Sequence, residues 1–171
     1  MNNSPIRYWY LAAVVGISVL TSTFAAASLI LTTKQPVKHL TSSEINDIRE
    51  AVFRYQFRNN ASAQQQKANA YFLSLEEGID PSNRFMKRFK DHQPPVKKAS
   101  QAKGEWGVID KETGLEGLRF RIESIKQISP NRVKVDGGYY EGNMSASGNT
   151  YTVRRIKNKW IVTQDKMRWI S

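Results

Sequence analysis

The chain has no cysteine at all and only two histidines, His39 and His92, in 171 residues. Without thiols there is no disulfide framework, no cysteine zinc site and no thiol nucleophile, and a domain of this size does not need disulfide staples. With no histidine cluster, a metal site has to be assembled from carboxylates. No Asp/Asn/Gly spacing of the calcium-loop kind occurs, so neither a metal nor a cofactor is expected. Phosphate-cradling glycine loops are missing too, since Gly137-Gly138 and Gly142 are not followed by Lys-Ser/Thr and a helix start. There is no internal repeat and no long linker. Negative charge is the scarcer sign, with 15 Asp+Glu against 26 Lys+Arg and a net charge of +11.

Charge of either sign is absent from Arg7 to Lys34, a run covering positions 8 to 33. Tyr8 to Leu31 is long enough to span a bilayer, which takes roughly 20 apolar residues. Tyr8, Trp9 and Tyr10 stand where an interfacial aromatic belt would sit. A cleaved signal peptide is the competing reading: Arg7 and the amino terminus make a positive n-region, Leu11 to Leu20 an apolar h-region, and Ala25-Ala26-Ala27 a cleavage-like site. The apolar run resumes at Ser28-Leu29-Ile30-Leu31, which favours an anchor. Lys34 and Lys38 on the far side outnumber Arg7, yet the signal-like grammar places the amino terminus in the cytoplasm. The expected address is therefore the cytoplasmic membrane, single-pass with an extracytoplasmic C-terminal domain; the alternative is secretion after cleavage.

Residues 1–32 are thus read as transmembrane anchor or signal segment, 33–40 as tether, and 41–171 as one domain. Only Arg7 of the 26 basic residues precedes residue 33, so 25 basic and 15 acidic residues leave an excess of 10 beyond the anchor. A basic domain at a membrane attracts anionic lipid or polymer.

Thr41-Ser42-Ser43-Glu44 is a capping box, predicting a helix over 42–58 with Ile45, Ile48, Val52 and Tyr55 inward and Glu44, Asp47, Arg49 and Arg54 toward water. Ala68 to Leu75 reads as a strand and Glu76 to Ile79 as a turn. Asp80-Pro81 is expected to cap a short helix whose Phe85 and Phe89 plug into the core. Trp106 to Ile109 reads as a short strand closed by a turn at Lys111 to Gly114. From Leu118 onward, alternation of apolar and charged residues predicts an antiparallel meander, turning at Pro130-Asn131 and Lys157-Asn158-Lys159. Gly137-Gly138 marks a bend, and Gly142 to Gly148 is read as a flexible loop. The fold class is α+β, a curved antiparallel sheet wrapped around a long helix.

This element order, ending in a Tyr-x-Val strand, a Lys/Asn turn and Lys159-Trp160-Ile161-Val162, resembles the nuclear-transport-factor-2-like (cystatin-like cone) superfamily over residues 41–171. The strings Asp80-Pro81-Ser82, Arg88-Phe89, Pro94-Pro95-Val96-Lys97-Lys98, Gly137 to Gly142, Ser145 to Tyr151 and Trp169-Ile170-Ser171 are similar to those of a group of small, uncharacterised bacterial proteins. The resemblance implies a conical cavity between helix and sheet and brings no established activity. For that cavity the candidate residues are Tyr139, Tyr140, Asp136, Glu141 and His92. Asp136 is out of phase with Val133 and Val135, so it is placed on the opposite face. No pairing of acid and base follows from spacing, and no catalytic residue is assigned.

The first functional expectation is a membrane-tethered extracytoplasmic binding or scaffold domain without catalysis, with a protein partner or a second copy as alternative occupants. By architectural analogy alone it is similar to the bitopic inner-membrane scaffold subunit of type IV secretion and conjugation systems. The alternatives are a small hydrolase or isomerase using tyrosine and carboxylate groups in the cone, and a binder of anionic polymer through Arg119, Arg121, Lys134, Arg154 and Arg155. Extracytoplasmic placement argues against nucleic acid outside DNA uptake or transfer.

Overall fold

The capping box at Thr41 forms as read. In the computed structural model, which describes residues 39–171 apart from Glu105 and Asn143, the Thr41 hydroxyl accepts from Glu44 N while the Glu44 side chain accepts from Thr41 N. Helix α1, Ser42–Asn59, then runs to a C-cap at Asn60. It buries Ile48, Val52, Phe53, Gln56 and Phe57. The residues expected to face water are half-buried instead, each in a link to another charged group: Glu44 with Arg155 (2.9 Å), Asp47 with Arg88 (2.8 Å), Arg49 with Glu76 (2.7 Å) and Arg54 with Glu50 (2.8 Å). No helix among the described residues is long and apolar enough to cross a membrane, and the uncharged run at 8–33 lies outside them.

The described residues form eight strands: β1 Tyr71–Ser74, β2 Val96–Lys98, β3 Ala102–Lys103, β4 Ile109–Asp110, β5 Leu118–Ser129, β6 Arg132–Gly142, β7 Ser145–Ile156 and β8 Lys159–Ile170. Six of them form one sheet in the order β2-β1-β5-β6-β7-β8, and β3 and β4 pair separately. The four long strands make the expected antiparallel meander. In contrast, β1 is parallel to both β2 and β5, a pairing that alternation alone does not reveal. All four residues of β1 are buried, because both its faces are covered.

Three local expectations change. The short helix α2, Asn83–Met86, is capped by Ser82, whose hydroxyl accepts from Phe85 N (3.2 Å). Asp80 is not the cap, since its carboxylate binds Ser100 N and Oγ. Gly142 to Gly148 is no loop, since β7 already begins at Ser145. Trp106 lies outside the strands and is 79% exposed.

One face of α1, the inward residues of β5 to β8 and the two phenylalanines of the α2 region form the main core, with Phe53, Leu118, Phe120, Ile122, Val133 and Val135 at 0% exposure. A smaller cluster of Ala70, Phe72, Ala102 and Val108, with Tyr140 against it, covers the other side of β1. Under it Asp110, 2% exposed, is held by Lys97 at 2.8 Å and caps Glu112 N. Burial pushes the Asp110 carboxyl up, but the hydrogen bonds from Lys97 and Glu112 N outweigh it and hold the group below its ordinary range. A carboxylate depressed on folding stabilises above its unfolded pKa, and that stability drains away as pH falls through the lower folded value. The domain is therefore expected to lose stability from about pH 4 downward, and Asp110→Asn to flatten that dependence; urea unfolding at several pH values checks it.

Candidate functional site

Between the C-terminal half of α1 and the concave face of the sheet lies a polar cavity of about 90 Å³, lined by Gln56, Tyr139, Ser147, Asn149, Tyr151 and Asp165 among others. Gln56 sits on the apolar stripe of α1 one turn beyond Val52. Its Nε2 donates toward Arg121 O (3.3 Å), Gly138 O (3.4 Å) and Tyr151 OH (3.3 Å), while its buried Oε1 has no protein partner. Asn149 Nδ2 donates to Asp165 (2.6 Å) and Ser147 Oγ to Asn149 Oδ1 (3.0 Å). Burial first, then the nearby Asp165 charge, pushes both the Tyr55 and Tyr151 phenols up, so each stays protonated. Such a volume holds about three waters at roughly 30 Å³ each. Ligand pockets run to about 300 Å³ or more.

The five candidate residues for the cone separate. Tyr139, 2% exposed, lines the cavity. Tyr140 faces the opposite way, against the second core cluster. Asp136 lies on the convex face, as its phase predicts, accepting from Ser124 Oγ (3.1 Å) and Thr150 Oγ1 (2.5 Å). His92 packs on the Phe57 and Tyr71 rings, with Nδ1 2.9 Å from Pro94 O. Glu141 accepts from Ser62 Oγ (2.6 Å) and Ser145 Oγ (2.7 Å) beside an open groove of about 640 Å³, whose lining includes Trp106, Glu116 and Met144. No acid and base of this set come within hydrogen-bond reach of each other.

The five basic candidates separate as well. Arg155 is on the concave face, bound to Glu44. Arg121 is engaged on the convex face, with Glu123 at 2.8 Å and its guanidinium 5.4 Å from the Trp169 ring. Arg119 is half-buried on the same face, with an unpartnered Nε. Lys134 and Arg154 are exposed there, and the strand register adds three residues that the sequence left unassigned: Lys126 directly opposite Lys134, Arg132 directly opposite Arg154, and Lys166 opposite Thr150. None of these five forms an ion pair among the described residues. The two acids of the face are engaged elsewhere, Glu123 by Arg121 and Arg168 and Asp136 by hydroxyls, with Arg168 Nε 3.9 Å away. Like charges directly opposite each other on one sheet face cost stability, so this arrangement is electrostatically unfavourable in the free domain. Pairing register could have exposed it, because hairpin turns at 130–131 and 157–158 fix which residues are opposite.

No family model, no curated protein and no solved structure matches the chain.

Proposed function

We propose that this chain is a noncatalytic binding domain of the nuclear-transport-factor-2-like cone type, held outside the cytoplasmic membrane by residues 8–31, whose convex sheet face receives an anionic partner. The observation that carries the reading is the two pairs of opposed like charges, Lys126 with Lys134 and Arg132 with Arg154, left without acidic partners among the described residues on an exposed face. Such juxtapositions become favourable when a polyanion lies across them and releases its counterions. The charge excess of 10 beyond the anchor gives the same sign to the long-range field. A catalytic reading has less support, since the cone cavity is small and the candidate acid and base groups lie on different faces.

Heparin, a soluble polyanion, tests the face. The full-length chain in a neutral detergent is expected to bind it, with affinity falling roughly a hundredfold between about 50 and 200 mM salt if five single-strand-like contacts form. Lys126→Gln with Lys134→Gln should lower the salt slope by about 1.4 at roughly 0.7 per contact. Salt-independent binding, or an unchanged slope in that variant, refutes the reading.

A further inference from the structure

The end of the sheet where the chain enters the domain carries a more specific arrangement. His39 and Leu40, the first described residues, border a depression with Ile125 and Gln127 of β5, and Glu44 in the first turn of α1 reaches Arg155 near the end of β7. The β5–β6 turn at residues 130–131 and the β7–β8 turn at 157–158 lie at this same end, as alternate hairpins of a meander must. There a pocket of about 300 Å³ is lined by Ser129, Asn131, Arg132, Arg154, Arg155 and Ile156. Arg132 and Arg154 are opposed on the convex face and free of ion pairs among the described residues, whereas the Arg155 side chain turns to the concave face and binds Glu44. Two planar guanidinium forks side by side at this pocket suit the oxygens of a phosphate. Close by, Ile128, Ile156 and Ile161 are 39%, 44% and 44% exposed, with Lys157 and Lys159 exposed in and beside the second turn. Branched apolar side chains bring nothing to a soluble anion, whereas next to basic ones they suit the boundary between head groups and acyl chains.

The geometry points to docking of this end of the domain on anionic phospholipid in the bilayer that holds residues 8–31, with a lipid phosphate seated between Arg132 and Arg154. The inference rests on the tethered basic-face reading above and gives that face an orientation. Seven residues lie between Leu31 and His39, and the eight Cα-to-Cα steps reach at most about 29 Å even fully extended. The tether joins the domain at the end that bears His39 and this pocket.

The test uses the full-length chain in nanodiscs of phosphatidylcholine with and without phosphatidylglycerol. Because the chain has no native cysteine, Pro130→Cys gives a single fluorophore site at the tether end, and Gln66→Cys gives one beyond the other end of α1. Quenching by spin-labelled acyl chains reports contact with the bilayer. The label at 130 is expected to be quenched only when phosphatidylglycerol is present, and the label at 66 in neither disc. Arg132→Gln with Arg154→Gln should lower the docked-to-free ratio roughly thirtyfold, at about 1 kcal/mol per basic residue at an anionic surface. Its melting temperature should not fall, because two opposed like charges are removed, so lost docking is not lost folding. Equal quenching in both discs, no quenching, or quenching retained by the double variant overturns the docking. An emission shift caused by inorganic phosphate in phosphatidylcholine discs, without dependence on lipid, makes the pocket a free-anion site and also overturns it. Heparin binding separates the two levels: if it persists with its salt dependence while docking fails, only the docking is wrong, and if it is absent too, the basic-face reading falls with it. A chain that does not enter the discs overturns the tether and the docking together.

Discussion

Alanine at both Phe85 and Phe89 is expected to leave the domain unfolded at room temperature. The two rings are 2% and 3% exposed and 5.6 Å apart, and Phe89 stands 6.4 Å from Phe53 and 5.7 Å from Phe57 of α1. Arg54 of α1 lies over Phe89 at 5.0 Å and Arg88 over Phe85 at 5.9 Å, so one guanidinium from each segment covers the two rings. Each buried Phe→Ala change costs about 3 to 5 kcal/mol. The pair shares one cavity and need not add, yet even the lower sum, about 6 kcal/mol, matches the whole stability of many domains. Circular dichroism of the single and double variants measures it, with the singles expected to fold at reduced denaturant midpoint. Unchanged melting with lost membrane association would instead make this helix a membrane-surface element.

Where one residue decides its own local structure, the sequence is readable. Thr41 and Glu44 define the start of α1 through a reciprocal bond across three residues. The meander announces itself because one face is buried and the other wet, and the turn at Lys157-Asn158 takes positive φ at both residues, a conformation that leaves only one register for its strands. The sequence is silent where partners are distant. Tyr71–Ser74 is buried on both faces, so it carries no alternation, and its parallel neighbours lie more than twenty residues away in either case. Asp80 satisfies every local rule for a cap, yet a tertiary partner, Ser100, takes it. Ser145 to Gly148 has the composition of a loop because small residues are needed there: Ser147 and Asn149 line the polar cavity, and Trp169 lies over Gly148.

The same period of two governs what was visible of the candidate site. Tyr139, Tyr140 and Glu141 are consecutive on one strand, so no more than alternate members can share a cavity. Tyr139 turns inward and Tyr140 outward accordingly. Gln56 and Asp165, which with Tyr151 make up much of the polar cavity, come from elements far apart in sequence. The one local signal for Gln56 was its place on an otherwise apolar helix stripe. For the convex face, the charge excess was plain from composition, but the opposition of Lys126 to Lys134 required the strand register.

Gly138→Ala is expected to be the most damaging single-methyl change in the sheet, costing about 3 kcal/mol or more. A Cβ at Gly138 would fall inside the Ser147 carbonyl oxygen and within 3.1 Å of Gly148 Cα, both backbone atoms of the neighbouring strand. Relief therefore requires β6 and β7 to separate, and it also disturbs Gly138 O, which accepts from Gln56 Nε2. Gly148→Ala makes the informative contrast. The three atoms nearest to its Cβ all belong to the Trp169 indole, a side chain that is 42% exposed and can swing outward and release Arg121. We expect Gly148→Ala to cost about 1 kcal/mol, at the low end for overpacking, and to change Trp169 fluorescence, while Gly138→Ala shifts the whole unfolding transition. Equal stability of the two variants would mean that the glycine at 138 serves the convex surface, as the one at 148 does, and not the curvature that closes the sheet over α1.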